Sequence, residues 1–329
     1  MARQNRLCWG LLSTARINRA LIGPIRSSYD SQLVAVASRS LEKATTFANT
    51  WGISRVHPSY EALLADPEID VIYNSLPNGL HAEWSIKAMQ MGKHVLCEKP
   101  LAISSPEMDA IQQAVTETGK VITEAFMYRH HPQTIKVKEL VDEGVIGKLR
   151  LIQGAYFYVQ SRPSDPRLEP ALGGGSLWDI GCYPVSYARF ITGMEPDEVY
   201  GHQVVGPTGI DLLFAGQMLF PEGIIAQFEC SFITPYKTFM EIIGNKGRII
   251  VPIPFKPEKR AKIFLDKEGQ TQTIHIHGPE LYHGEVEDIE KAILLGKPVR
   301  ISLEDSRGNI AAIEALYRSA SDGKSQIIP

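Results

Sequence analysis

Through the first 125 or so residues, short apolar runs alternate with segments whose apolar residues recur at helical spacing. LCWGLL, QLVAVAS, DVIYNS, KHVLCEK and KVITEAF read as strands. Between them, SLEKATTFANTWG and GLHAEWSIKAMQMG carry the helical period and end in glycine, which stops a helix cheaply in the left-handed region. SSPEMDAIQQAVTETG does the same and opens with Ser104 and Glu107 at capping-box spacing. This alternation predicts βαβ units and a doubly wound parallel sheet, whose ligands bind at the carboxyl ends of the strands.

The second half has a different rhythm. LRLIQGAYFYV, DEVYGHQVV, DLLFAGQMLF, GIIAQFECSF, TFMEIIG, RIIVP and AKIFL are strand-like and follow one another without intervening helices. Turn signals such as Pro221-Glu222-Gly223 and Asn245-Lys246-Gly247 separate them. Helical patterns appear at HHPQTIKVKELVDEG, HGEVEDIEKAILLG and SLEDSRGNIAAIEALYRSASDG. A length of 329 residues suits two domains. We expect residues 1–125 to bind a dinucleotide and 126–329 to bind substrate and mediate oligomerisation. Alternating strands such as QMLF and IIAQFECSF leave one sheet face to be covered, so a homodimer or homotetramer through the C-terminal sheet is expected.

Composition narrows the partners. With 44% hydrophobic and 22% charged residues and a net charge of -3, nothing attracts nucleic acid or an anionic membrane. No apolar run approaches the roughly 18 residues of a membrane helix, and the start is too short for a signal-peptide core, so a cytoplasmic protein is expected. Cys8, Cys97, Cys182 and Cys230 lack CxxC spacing and read as buried thiols. His275 and His277 share a strand face without a completing Cys, Asp or Glu cluster, and His130 and His131 diverge. No metal site is expected.

Candidate chemistry sits just after the strands. WGLLSTARIN occupies the place of a GxGxxG phosphate loop, yet the three glycine positions are Ser13, Ala15 and Asn18. Ser and Ala are the smallest substitutes, and Ser13 or Thr14 is placed to cap the following helix, leaving backbone N–H groups to face a phosphate. Taken alone, the segment reads better as an ordinary strand-to-helix turn. After the second strand stands Ser38-Arg39-Ser40, without the acid that would hold a ribose diol. A guanidinium flanked by hydroxyls suits a 2′-phosphate.

Four further segments are more specific: NSLPNGLHAE (Asn74 to Glu83), CEKP (Cys97 to Pro100), EAFMYRHHP (Glu124 to Pro132) and LGGGSLWDIGCYP (Leu172 to Pro184). Together the chain resembles, over essentially its whole length, the Gfo/Idh/MocA oxidoreductases, whose hallmark is Glu-Lys-Pro after the fifth strand. Within that family it is most similar to the branch of NADP-dependent D-xylose dehydrogenases, dimeric dihydrodiol dehydrogenases and sugar 3-ketoreductases. The resemblance implies a Rossmann domain followed by an α/β domain with a large open, mostly antiparallel sheet. It also implies NADP(H)-dependent hydride transfer on a secondary alcohol or carbonyl of a sugar or cyclic diol.

Residue by residue, the resemblance implies cofactor contacts from Ser13, Thr14, Ala15, Arg16, Ile17, Ser38, Arg39, Ser40, Ser75, Leu76, Pro77, Asn78, His81, Glu98, Lys99, Pro100, Arg129 and Trp178. It implies substrate contacts from Met127, Phe157, Arg162, Arg167, Asp179 and Tyr183, with RPSDPRLEP as a lid. Lys99, Tyr183 and Asp179 are the implied catalytic group. Gly173, Gly174 and Gly175 are expected to allow close backbone approach to a ligand.

Many members of the family carry a histidine where this chain has Tyr183, so histidine chemistry does not transfer. A tyrosine has an unperturbed pKa near 10, and the positive charges of Lys99 and oxidised nicotinamide would favour its phenolate. Lys99 is the alternative proton carrier. Other functions on the same fold are a non-catalytic nucleotide-responsive regulator and an NAD-dependent glycoside hydrolase. Retention of Lys99 and Tyr183 argues against the first, and Arg39 argues for exchangeable NADP.

Overall fold

The protein is described by a computed structural model covering residues 6–328. It divides into two compact units: residues up to Met127 together with Tyr282–Ser306, and Tyr128–Leu281 together with the remaining C-terminal residues. The stretch Tyr282–Ser306 therefore returns to the first unit, a return that a single linear boundary at 125/126 does not contain.

The first unit holds β1 (Leu7–Leu11), β2 (Ser31–Ala37), β3 (Arg55–His57), β4 (Val71–Asn74), β5 (His94–Glu98) and β6 (Ile122–Ala125). Their spatial order is β3-β2-β1-β4-β5-β6, every neighbouring pair parallel. This is the Rossmann order, with its reversal between β1 and β4. Strand β3 is three residues long and too brief to give a hydrophobic signal.

The connecting helices are α1 (Asn18–Ser27), α2 (Leu41–Trp51), α3 (Tyr60–Leu64), α4 (His81–Gln90) and α5 (Ser105–Thr118). Ser40 caps α2, and Gly52 ends it in the left-handed conformation. At α5 the Ser104 hydroxyl accepts from the Glu107 N–H, and the Glu107 carboxylate accepts in return from the Ile103 N–H. The core is built on fully buried Trp9, Leu11, Leu21, Ile25, Val71 and Tyr73. Val286 and Ile289 from the returning stretch join that core, and the Ser31 hydroxyl donates to the Glu290 carboxylate.

In the second unit α6 (Pro132–Asp142) precedes β7 (Leu149–Phe157), and α7 (Cys182–Thr192) precedes β8 (Glu198–Val205). Then come β9 (Asp211–Phe220), β10 (Ile224–Ser231), β11 (Lys237–Gly244), β12 (Gly247–Val251), β13 (Arg260–Lys267) and β14 (Gln270–His277). Helix α8 (His283–Leu295) belongs to the first unit, while most of α9 (Leu303–Asp322) and the short β15 (Gln326–Ile327) belong to the second.

The sheet order is β14-β13-β12-β11-β7-β10-β9-β8-β15. Only β7 and β10 pair in parallel, so the sheet is mostly antiparallel as expected. Burial alternates along the central strands: Phe214, Gly216, Met218 and Phe220 face inward, while Leu213, Ala215 and Gln217 face outward. Leu316 of α9 packs on the inward face against Gly201 and Gly216, where no side chain would fit.

Candidate active site

The nucleotide half lies in the first unit, at the carboxyl ends of β1, β2, β4 and β5. Its phosphate-loop segment is braced by its own polar side chains. Ser13 Oγ lies 2.8 Å from Ser75 Oγ and accepts from the Ala15 N–H at 3.0 Å. Asn18, at the third glycine position, is buried and donates from Nδ2 to the Ser13 carbonyl at 2.7 Å. The lost glycines are thus replaced by groups that hold the turn.

Neither Ser13 nor Thr14 caps α1, contrary to the sequence expectation. Its N-cap position is Ile17, with no side-chain acceptor, because Ser13 is committed to Ser75 and Ala15. The start of α1 is closed by its own backbone, the Asn18, Arg19 and Ala20 N–H groups donating to the carbonyls of Ala15, Arg16 and Ile17, so the stretch a phosphate would meet is the partly exposed turn 14–17 before the helix.

Arg39 is exposed, between buried Ser38 and the α2 cap Ser40. Its guanidinium donates to the hydroxyl of Tyr60, a ring that packs edge-on against Trp84 at 5.1 Å. Burial pushes the Tyr60 hydroxyl up, with Arg39 opposing, so the phenol stays neutral and acts as an acceptor. With an exposed arginine and no acid at residues 38–40, this end fits a nucleotide with a 2′-phosphate.

After β4, Ser75 and Leu76 are buried, whereas Pro77 and Asn78 are partly exposed. Asn74 supports them, donating to the His81 carbonyl and the Ser85 hydroxyl, both at 3.0 Å. His81 is fully buried, each ring nitrogen 2.7 Å from a carbonyl, those of Pro100 and Leu76. Two acceptors favour the imidazolium, but burial outweighs them and pulls the imidazole down to about 4. His81 therefore ties two loops together without itself reaching solvent.

Glu98 and Lys99 are half-buried, and the Lys99–Pro100 peptide is cis. The Tyr73 hydroxyl donates to Glu98. Glu124, the first residue of EAFMYR, holds the chain beyond this turn: it accepts from the Leu101 N–H at 3.0 Å and from the Ser306 hydroxyl at 2.6 Å.

The second unit carries the remaining candidates. A π-helical turn, Leu177–Gly181, runs directly into α7 and spaces Asp179 and Tyr183 about one turn apart. Buried Asp211 anchors its start, accepting from the Ser176 hydroxyl (2.6 Å), the Leu177 N–H (2.8 Å) and the Tyr317 hydroxyl (2.6 Å). The Tyr317 ring lies 5.8 Å from that of Trp178.

Gly174 is required by packing of the loop on itself, and Gly175 by its packing on Asp211 and Tyr317. A Cβ on Gly174 would lie 2.6 Å from the Arg167 carbonyl oxygen, and one on Gly175 would lie 2.3 Å from Asp211 Oδ1. Gly175 also has φ +126, where L-residues are strained.

Asp179 Oδ2 accepts from the Tyr158 hydroxyl and from Arg167 Nε, each at 2.9 Å. Arg167 forks, its Nη1 lying 3.2 Å from Asp165 Oδ1. Arg162 pairs with the other Asp165 oxygen at 3.1 Å. The Tyr183 ring is surrounded by Tyr128, Tyr156 and Phe255 at centroid distances of 5.8, 5.6 and 5.4 Å. Tyr156 packs next to Tyr183, and Phe157, expected beside substrate, alternates to the opposite face of β7.

Arg129 is buried, donating to Ser186 at 3.2 Å with its guanidinium 4.2 Å from the Phe190 ring centre. Met127 is buried and closes the first unit's main segment. Among the described residues no metal-binding group of three or more His, Cys, Asp or Glu is present, and no helix is long and apolar enough to cross a membrane.

Comparison with known proteins supplies the family. Residues 9–126 match the model of an oxidoreductase family with an NAD-binding Rossmann fold, and residues 134–250 match the GFO/IDH/MocA C-terminal domain. The chain belongs to the Gfo/Idh/MocA oxidoreductases. Within them it is 35% identical to D-xylose 1-dehydrogenase (NADP(+)) 2 of Haloferax volcanii, over 96% of this chain and 98% of that one. A similar fold is seen in a 3-ketoreductase from Actinomadura kijaniata in complex with NADP and TDP-benzene. That structure has a TM-score of 0.92 and 27% identity, covering 96% of this chain and 98% of the other. The aldose-aldose oxidoreductase from Caulobacter crescentus, in complex with glycerol, has a TM-score of 0.91 and 26% identity, covering 98% and 99%.

Proposed function

We propose that this protein interconverts a secondary alcohol and a carbonyl on a sugar or related cyclic diol. It is an NADP(H)-dependent dehydrogenase or reductase of the Gfo/Idh/MocA family. The observation that carries the substrate chemistry is the π-helical turn that brings Asp179 and Tyr183 to one side of the start of α7. Similarity to a xylose dehydrogenase and to sugar ketoreductases supports the same class.

When bound, NADP(H) supplies or accepts the hydride. The chain's own residues do the rest. The turn over residues 13–17 would hold the pyrophosphate, and Arg39 the 2′-phosphate. Tyr183 gives or takes the proton at the reacting substrate oxygen, and Lys99 stabilises charge on that oxygen or on the phenol. Asp179 orients through its bonds to Tyr158 and Arg167. The four cysteines are buried thiols, which fits a reducing compartment such as the cytoplasm.

The test is NADPH formation on a panel of aldoses and diols, followed by single-turnover hydride transfer in variants. Tyr183→Phe should bind NADPH normally and lose about 10² to 10⁴ in rate, the usual contribution of general acid–base catalysis. Lys99→Met should be at least as damaging. If Tyr183→Phe keeps wild-type chemistry while Lys99→Met does not, the lysine carries the proton; if both keep it, the assignment fails.

A further inference from the structure

The Lys99–Pro100 turn and the loop after β4 meet at one side chain. His81, the first residue of α4, is fully buried, with Nδ1 2.7 Å from the Pro100 carbonyl oxygen and Nε2 2.7 Å from that of Leu76. Both facing atoms are acceptors. An imidazolium would donate to both, but burial, against the pull of the two carbonyls and together with the Lys99 charge, brings the ring down to about 4. At neutral pH the imidazole therefore has one N–H for two carbonyls.

The chain beyond each carbonyl is bonded in turn. Ser75, next to Leu76, lies 2.8 Å from Ser13, which accepts from the Ala15 N–H of the phosphate-loop turn at 3.0 Å. On the other side, the peptide that carries the Pro100 carbonyl presents its N–H, that of Leu101, to buried Glu124 at 3.0 Å. One peptide unit is thus pinned at its oxygen by His81 and at its nitrogen by Glu124. The residue it fixes is Lys99, one position before the proline.

Building on the proposed oxidoreductase, in which Lys99 stabilises charge at the reacting oxygen, we propose that His81 is a positioning residue for Lys99. It links the lysine's turn to the loop after β4 through the carbonyls of Pro100 and Leu76. Nδ1 serves the chemistry, and Nε2 serves the nucleotide turn through Leu76, Ser75 and Ser13. The ring itself touches no ligand, because it does not reach solvent.

Two substitutions divide the ring between its nitrogens, since the amide nitrogen of Asn falls near the place of Nδ1 and that of Gln near the place of Nε2. His81→Asn keeps a donor for Pro100; His81→Gln keeps one for Leu76. The experiment measures NADPH affinity by titration and single-turnover hydride transfer on the aldose or diol that gives the fastest NADPH formation, with Lys99→Met alongside. His81→Asn should bind NADPH about three- to tenfold more weakly and keep most of its rate of hydride transfer. His81→Gln should keep most of its NADPH affinity and lose about tenfold or more in rate, as a displaced reacting group does.

Parallel losses in the two variants, the reverse split, or no loss in either overturns the inference while leaving the chemistry of Lys99 standing. If Lys99→Met keeps wild-type hydride transfer, the reading of Lys99 fails and the inference fails with it. Should the His81 variants not fold, Glu124 decides from the other end of the same peptide. Glu124→Gln keeps an acceptor for the Leu101 N–H and Glu124→Met removes it, so the Met variant should be slower than the Gln variant by about tenfold or more with similar NADPH affinity. Equal rates in those two variants overturn the inference.

Discussion

Arg39 shows how much one side chain can decide. It is exposed, so its position depends on what it bonds, and its partner is the buried Tyr60, the first residue of α3. Strands β2 and β3 pair in parallel with Ala37 opposite His57, so the turns after them are neighbours, which places Arg39 and Tyr60 together. Replacing Arg39 with Ala should weaken NADP(H) binding by about 1.5 to 3 kcal/mol, one to two powers of ten, and leave NAD(H) nearly unaffected. Titration of both cofactors measures this, and equal losses would make Arg39 a structural residue.

Arg39 was readable from the sequence because it follows a strand that names its own end. Tyr60 was not, since nothing local ties residue 60 to residue 39. Asp211 was hidden for the same reason, with partners 35 and 106 residues away at Ser176 and Tyr317. Which of Tyr156 and Phe157 packs on Tyr183 was not legible either, because an aromatic pair on a strand does not declare which member faces inward.

Among the elements, those with a strong period and clear punctuation were legible: α2, α5 and the parallel strands β1, β2, β4, β5 and β6 lie where spacing and glycine stops put them. The three-residue β3 carried too little pattern. The π-helical turn had no signature of its own, and the Asp211 carboxylate that holds its start lies 34 residues further along the chain.

The glycine loop before that turn gives a sharp expectation. In Gly174→Ala the new methyl would meet the carbonyl oxygens of Arg167 at 2.6 Å and Glu169 at 2.8 Å, backbone atoms that move only if the segment moves. We expect a loss of about 1 to 3 kcal/mol in stability and a fall in kcat/KM for the sugar, with NADPH affinity kept because the first unit is untouched. Thermal melts, steady-state kinetics and NADPH titration together check it. Unchanged kinetics would show that the loop can shift without disturbing Asp179.

For the whole molecule, the outward face of the second sheet is the open question the sequence raised. Register aligns Tyr200, Gln217, Gln227, Gln153 and Glu241 in one row across five strands. The amides form a ladder, Gln153 to Gln227 at 3.4 Å and Gln227 to Gln217 at 3.2 Å, flanked by exposed Tyr200 and Val204. We propose that a second copy covers this face. The protein should sediment as a dimer or tetramer at micromolar concentration, and Gln227→Arg, which sets like charges against each other across a twofold contact, should shift it toward monomer. A wild-type monomer would remove the proposal.

The return of Tyr282–Ser306 to the first unit also constrains how the chain is made. Val286 and Ile289 are core residues of a domain whose strands are finished by Ala125. During translation the ribosome must add roughly 180 more residues before that core closes, a delay of about ten to thirty-five seconds at ordinary elongation rates. For that interval the nascent Rossmann strands have an apolar flank that only a later part of the same polypeptide covers. The nucleotide-binding unit therefore emerges ahead of strands β7–β14 and cannot be completed until they have followed it.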